Sequence, residues 1–416
     1  MNYETLFSRG ADTMRQSPIR QMGTVAAQRA DLISFAPGYP GADIFAWDDY
    51  RAIADDLLRG RGADVLQYGP THGFRPLVDV LIEILKARGI GTASHDTTLV
   101  TTGSQQGLDL VSRTLLDPGD VVLLELPSYT GAIAAFRNTR AVLVGVKQQP
   151  DGIDLDDLQE VLQRVRQEGR RVKFLYVTPN FQNPSGSLMS LEKRLRLLEW
   201  AGREGVPIVE DDPYGDLYFE DAATAAETRP IKADDRDDNV IYLTSFSKTL
   251  APAFRVAWVA APASVVAKFD VAKQAADLCT GNFDQHIVYE ACVRGVLARR
   301  IPELRRYYQH KRTVMERALK RELQGLVTWP IPRGGFFLWA ALPQEMDSQV
   351  LLQRAMNHGV IFVAGGAFFV DGSGRYFVRL SFSQQTPERI EDGIARLAAA
   401  IKEEHAALQP GTARSA

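Results

Sequence analysis

Cysteine is nearly absent: two residues in 416, Cys279 and Cys292, which cannot build a disulfide framework. The six histidines are scattered without the paired spacing of a metal site, so no metal is expected. No charge of one sign dominates. Lys and Arg number 48 against 51 Asp and Glu, a net charge of −3, which gives no electrostatic reason to expect nucleic acid or an anionic membrane as partner. Long apolar runs are missing as well. The most apolar stretch, Val256 to Ala267, is broken by Pro262 and is too short to span a bilayer. The N-terminus carries Glu4 with no apolar core behind it, unlike a secretory signal. These absences exclude the secreted, disulfide-rich and membrane classes and point to a reducing, cytoplasmic setting. The 45% apolar and 24% charged residues are ordinary for a globular enzyme.

At about 150 residues per domain, the length predicts two or three domains. From about residue 95 to 265, short β-branched runs alternate with helical patterns. The runs are Thr97–Thr101, Val121–Leu124, Ala141–Val146, Val172–Val177, Val206–Val209, Val240–Leu243 and Val256–Ala260, with helical periodicity in Gln105–Leu116, Leu155–Glu168 and Leu191–Arg203. That alternation predicts an α/β fold in which a seven-stranded, mostly parallel sheet is covered by helices. A helical pattern from Pro302 to about Gln324 follows. Then come strands at Leu326–Trp329, Phe336–Trp339, Val360–Val363 and Phe377–Phe382, and a last helix from Pro387 to Glu404. The expected division is a large ligand-binding domain over 51–300 and a small α+β domain over 301–416. The first 50 residues lack the alternation of the middle and are assigned to the small domain. Glu220 to Asp238 reads as a loop insertion, and the tail from Gln409 as frayed.

Ligands in such sheets collect at the carboxyl ends of the strands, and five of these ends carry chemistry. In Thr244-Ser-Phe-Ser-Lys-Thr-Leu-Ala-Pro-Ala-Phe-Arg255, a lysine ends an apolar strand between serines, with an arginine seven residues on. The pattern suits a nucleophilic amine, Lys248, beside an anion held by Ser245, Ser247 and Arg255. A solvated strand end is the bland alternative. In Thr101-Thr-Gly-Ser-Gln-Gln-Gly107, a helix starts at Ser104 or Gln105, where free backbone amides attract phosphate. It is neither a P-loop nor a dinucleotide fingerprint, and alone it reads first as an ordinary strand–helix turn capped by Ser104. Val209-Glu-Asp-Asp-Pro-Tyr-Gly215 puts carboxylates at a strand end, where a protonated ring nitrogen is a fitting partner, with a metal site or an N-cap cluster as rivals. Thr178-Pro-Asn-Phe-Gln-Asn-Pro-Ser-Gly186 offers amide donors on a rigid turn, and Tyr129 an aromatic plate. Phosphate donors, aromatic plate, amides, carboxylate and lysine together match one ligand: pyridoxal 5′-phosphate, bound covalently through its aldehyde.

On these segments, from about Arg15 to Ala400, the chain resembles the class I/II aminotransferases of the fold type I pyridoxal-phosphate enzymes, most nearly the 2-aminoadipate and kynurenine aminotransferase subgroup. The resemblance implies that Lys248 binds the cofactor covalently and moves the proton at the substrate α-carbon. It implies that Asp211 pairs with the ring nitrogen, that Asn183 and Tyr214 bond the ring's phenolic oxygen, and that Tyr129 stacks on the ring. Ser104, Gln105, Ser245, Ser247 and Arg255 are implied to hold the phosphate. Tyr68, in Gln67-Tyr-Gly-Pro-Thr-His-Gly73, matches a tyrosine that reaches the phosphate of a neighbouring subunit, which implies a homodimer with shared active sites. Arg379, in Val378-Arg-Leu-Ser-Phe-Ser383, matches the arginine that grips the α-carboxylate, with a structural salt bridge as the bland reading.

Gly38 lies in a segment that covers substrates in relatives, Arg20 aligns with an arginine that reads an acidic side chain, and Tyr39 narrows or aromatises the pocket. Phe254 stands where the family has Leu or Met and adds bulk beside Arg255. The implied activity is transfer of an amino group from an L-amino acid of 2-aminoadipate, aromatic or branched type to a 2-oxo acid such as 2-oxoglutarate. A carbon–sulfur β-lyase, a decarboxylase or an amino acid oxidase on this fold would keep nearly all the same residues. Aminotransferase-like transcription regulators carry a winged helix-turn-helix first, for which the pattern here leaves no room.

Overall fold

The computed structural model describes residues 1–29 and 31–409, so all but the first residue of the tail expected to fray lies outside the described residues. Its strands are β1 (Ile33–Ser34), β2 (Thr98–Thr102), β3 (Val121–Leu126), β4 (Val142–Gln149), β5 (Gly152–Ile153), β6 (Val172–Val177), β7 (Ile208–Asp211), β8 (Val240–Ser245), β9 (Val256–Ala260), β10 (Phe337–Ala341), β11 (Val360–Ile361), β12 (Val363–Ala364) and β13 (Phe377–Ser381). The large sheet has the order β2-β9-β8-β7-β6-β3-β4-β5. Neighbours from β8 through β4 are parallel, and β9 and β5 run against theirs. All seven expected strands are in it. The count is corrected to eight by the two-residue β5, which is too short to leave a periodic signal.

Alternation builds the two faces. Val122 and Leu124 of β3 join Phe174 and Tyr176 of β6 in one buried cluster, while Val121 and Leu123 join Leu175 and Val177 in another. Both faces are covered, so the strands read as continuous apolar runs. Each fully buried Val, Leu or Phe contributes about 1.5–3 kcal/mol.

The smaller sheet has the order β10-β13-β12, all antiparallel. The N-terminal segment joins this part of the chain: β1 pairs in parallel with β11, and Phe35 inserts between them and β13 through hydrogen bonds from its N–H to the Ile361 carbonyl (2.8 Å) and from the Ser381 N–H to its carbonyl (2.8 Å).

Three expectations here are corrected. Leu326–Trp329 forms no strand and leaves only a bridge at Thr328, because Pro330 and Pro332 follow directly. The run Val360–Val363 splits between two sheets. The long helix begins at Val296, after Gly295 with φ of +73°, and carries Pro302 within it. Residues 220–238 are mostly irregular but firmly held. The Ile231 and Lys232 amides each donate to the Glu210 carboxylate at 2.9 Å, and Lys232 pairs with Asp235 in the interior.

Candidate active site

The ends of β2, β3, β6, β7 and β8 meet the N-terminal segment and β13 around one cluster. Asp211, the last residue of β7, is buried. Its Oδ2 accepts from the Tyr176 hydroxyl (2.8 Å), and its Oδ1 has no partner. Its two acidic neighbours are spoken for: Glu210 by the amides just described, and Asp212 by Arg88 (2.8 Å), Asn180 (2.9 Å) and Tyr242 (3.0 Å). Burial, with the Asp212 charge adding to it, pushes the Asp211 carboxyl up to about 7 against the Tyr176 hydrogen bond. A cap cluster would have left its oxygens on backbone amides. Among the described residues, no group of acids, histidines or cysteines is arranged to hold a metal ion.

Lys248 follows β8 on a turn in which the Ser245 Oγ accepts from the Ser247 amide (2.9 Å). Its Nζ donates to the Gly38 carbonyl (3.0 Å) and lies 5.9 Å from the Tyr214 ring centre and 5.6 Å from that of Phe336. Burial, then the charges of Arg255 and Arg379, bring it down to about 8, with Asp211 opposing. Tyr214 is buried. Tyr129, after β3, is half-buried, and its hydroxyl is raised by burial and by the Asp211 charge, with Arg379, Arg20 and Arg255 opposing.

The anion cradle is a matter of backbone shape. Gly103 has φ of +75° and starts the helix Ser104–Leu115. A Cβ on it would sit 1.9 Å from Nη2 of Arg255, so only glycine lets the guanidinium lie against the turn. Arg255 itself holds a left-handed φ of +53°, a strain that the surrounding structure must enforce. Its guanidinium makes only long contacts, to the carbonyls of Pro252 (3.4 Å) and Thr102 (3.5 Å), and it has no ion pair among the described residues. The Ser245 and Ser247 hydroxyls bond each other at 2.8 Å, and Gln105 Nε2 donates to the Gly131 carbonyl (2.9 Å). Phe254 packs edge-on against Tyr50, with ring centres 5.1 Å apart, which gives its bulk a place in a buried cluster.

Arg379 stands mid-strand in β13 with no exposed surface. It donates through Nη1 to Asn183 Oδ1 (2.7 Å) and through Nη2 to the Ala36 carbonyl, while its Nε has no partner. The rings of Phe337 and Phe368 lie 4.3 and 5.1 Å from its guanidinium. No carboxylate pairs with it among the described residues, so the salt-bridge reading falls, and burial lowers it to about 10. A buried cation without a counter-ion is costly unless a ligand supplies one. Gly38 passes so close to Phe337 that a Cβ would lie 2.5 Å from its ring.

Tyr39 is 39% exposed, and Arg20 is exposed on the helix Pro18–Gln28. Tyr68 stands apart: it is 78% exposed, and its hydroxyl has no hydrogen-bond partner among the described residues.

Residue-by-residue reading missed the polar frame behind these groups. Gln182 Nε2 donates to the Pro127 carbonyl (2.6 Å), and the buried Glu125 accepts from the Thr178 amide (2.9 Å), which ties the Tyr129 and Asn183 loops together. A lone acid in an otherwise apolar strand was the available signal for Glu125.

The donor set fits pyridoxal 5′-phosphate. Asp211 keeps a free buried oxygen for a ring N–H, Arg255 and the helix start form a cradle that a Cβ would fill, and Lys248 is a low-pKa amine between them. Gly103→Ala is therefore expected to weaken pyridoxal-phosphate binding by more than about tenfold, from strain at positive φ and displacement of Arg255, as read by absorbance titration.

Residues 46–397 match the family model of aminotransferase class I and II. An aromatic-amino-acid aminotransferase of Thermococcus litoralis is 39% identical over 97% of this chain and 96% of its own. The crystal structure of a Pyrococcus horikoshii kynurenine aminotransferase in complex with PMP superposes with a TM-score of 0.91 at 37% identity, covering 97% of this chain and 98% of that one. The α-aminoadipate aminotransferase of Thermus thermophilus, complexed with N-(5′-phosphopyridoxyl)-L-leucine, gives 0.89 at 38% identity over 98% and 100%. The chain belongs to the class I and II aminotransferases, pyridoxal-phosphate enzymes of fold type I that move an amino group between small amino and oxo acids.

Proposed function

We propose that the chain moves the amino group of an L-amino acid, of aromatic or 2-aminoadipate type, to a 2-oxo acid such as 2-oxoglutarate. The observation that carries this is the convergence on one cluster of the unpartnered buried Asp211 oxygen, the half-buried Lys248 amine, which donates to the Gly38 carbonyl, and the buried Arg379 guanidinium, which has no carboxylate partner among the described residues. The substrate types are supported by the names of the relatives. When bound, pyridoxal 5′-phosphate supplies a conjugated ring that takes up the electron pair left at the substrate α-carbon.

Asp211 is assigned to its ring nitrogen, Asn183 and Tyr214 to its phenolic oxygen, and Tyr129 to its ring face. Ser104, Gln105, Ser245, Ser247 and Arg255 are assigned to its phosphate. Lys248 binds it covalently, and once displaced by substrate it carries the proton that leaves the substrate α-carbon. Arg379 takes the α-carboxylate in a forked pair, exchanging the Ala36 carbonyl for it. Gly38 covers the substrate, and Arg20 and Tyr39 meet its side chain. Tyr68, exposed and with no hydroxyl partner among the described residues, is assigned to the phosphate of a second copy, which makes the working unit a homodimer. The large domain is taken as 51–300, with 1–50 and 301–416 making the small one. The two free cysteines agree with a cytoplasmic location, and no helix among the described residues is long and apolar enough to cross a membrane.

The test is a panel of L-amino acids with 2-oxoglutarate. Glutamate formed in equal amount to the new oxo acid supports the proposal. Free ammonia without an acceptor, or consumption of oxygen, would replace it with a lyase or an oxidase. A pH dependence follows from Lys248. Only its neutral amine attacks an aldehyde, and its site holds it near 8. The rate of pyridoxal-phosphate capture by the cofactor-free chain is therefore expected to rise with pH, with its midpoint near 8, before it levels off. A rise continuing to the ordinary lysine range would contradict the lowered value.

A further inference from the structure

Behind the anion cradle lies a charged pair that the proposed reaction does not use. Lys273 has no exposed side-chain surface. Its Nζ donates to Asp277 Oδ1 (2.8 Å) and Oδ2 (3.0 Å), and to Gln106 Oε1 (3.0 Å). Asp277 Oδ2 also accepts from the Thr102 hydroxyl (2.6 Å) and from Gln106 Nε2 (2.7 Å). Gln106 Oε1 in turn accepts the Thr102 amide (2.8 Å), and the Thr280 hydroxyl meets that of Thr102 at 3.0 Å. Thr102 is thus held by its amide and its hydroxyl, while its carbonyl faces the Arg255 guanidinium. The next residue is Gly103, against which Arg255 packs.

Stability alone does not account for this arrangement. A buried ion pair is commonly replaceable by apolar side chains at little or no cost, whereas a fully bonded one fixes a geometry. The geometry fixed here joins the last turn of the helix Ala263–Asp277 to the turn that starts the helix Ser104–Leu115. Reaching across about 170 residues of sequence, it sets where the orphan amides and Arg255 point.

We infer that Lys273 and Asp277 are positioning residues, which hold the Thr102–Ser104 turn and the Arg255 guanidinium in the shape that receives the cofactor phosphate. The inference rests on the pyridoxal-phosphate reading above and adds to it a pair that touches no substrate or cofactor atom.

The test compares two probes, pyridoxal 5′-phosphate and pyridoxal, which share ring and aldehyde and differ in the phosphate. Dissociation constants are measured by absorbance titration of the full chain. Asp277→Asn keeps shape but leaves the buried Lys273 without its counter-charge, whereas the double variant Lys273→Met with Asp277→Leu replaces the pair by apolar groups and leaves no lone buried charge. In both, the dissociation constant for pyridoxal 5′-phosphate is expected to rise about tenfold or more, with that for pyridoxal within about twofold of the parent. A melting temperature near the parent's shows that the fold is kept. Parent-like affinity for the phosphorylated probe in either folded variant would overturn the inference, as would equal loss of both probes. A parent chain that binds neither probe would instead overturn the function on which it rests.

Discussion

Lys248→Ala is expected to lower turnover by about 10⁴-fold, the largest effect of the single changes proposed, because it removes both the proposed covalent attachment and the base proposed to carry the α-proton. Among the groups of the cluster, Asp211 is the group proposed for the ring nitrogen and Tyr129 and Tyr214 are phenols raised by burial, so no neighbour is expected to substitute at neutral pH. The cradle at Gly103 and Arg255 and the free oxygen of Asp211 do not depend on the lysine. The variant is therefore expected to bind pyridoxal 5′-phosphate, but reversibly: gel filtration should strip it, and mass spectrometry after borohydride should show no added mass. Normal turnover in this variant would contradict the role given to the lysine.

The second large effect is expected at Arg379. Arg379→Lys keeps the charge but loses the fork, and its shorter, single-point donor cannot replace both the Asn183 and Ala36 contacts. The expected loss in kcat/KM is about 10²-fold or more, the scale of a buried charged hydrogen bond, and should fall equally on the amino acid and the oxo acid because each presents the same carboxylate. An amine without an α-carboxylate should react equally with both proteins. A loss confined to stability, with kinetic constants unchanged at low temperature, would return Arg379 to a structural role.

Most of the site could be read along the chain because its members sit at strand ends. Val172–Val177 and Val256–Ala260 have the same bounds in the sequence pattern and in the structure, and the other five expected strands of the large sheet differ only at their ends. Apolar β-branched runs that give way to polar residues, Gly or Pro signal where a strand stops; Ser104, Asn183 and Lys248 follow such stops, and Asp211 ends its strand. Two kinds of feature escaped. Very short strands, such as β5, carry too few residues for a period to emerge. Buried polar pairs, such as Arg88 with Asp212 or Lys273 with Asp277, join residues far apart in the chain, and each partner alone looks like a solvated charge. Arg379 lay between these cases. Its place in an apolar strand marks it as unusual, but only the three-dimensional arrangement shows a guanidinium with no carboxylate beside it among the described residues.

The central claim, a half-reaction at Lys248 that stores the amino group on the cofactor, is tested most directly by the absorbance spectrum of the protein loaded with pyridoxal 5′-phosphate. The loaded protein is expected to be yellow, to bleach to a near-ultraviolet absorbing form on addition of an aromatic amino acid or 2-aminoadipate alone, and to recover its colour with 2-oxoglutarate. A protein that stays colourless with the cofactor, or whose colour no amino acid discharges, would contradict it.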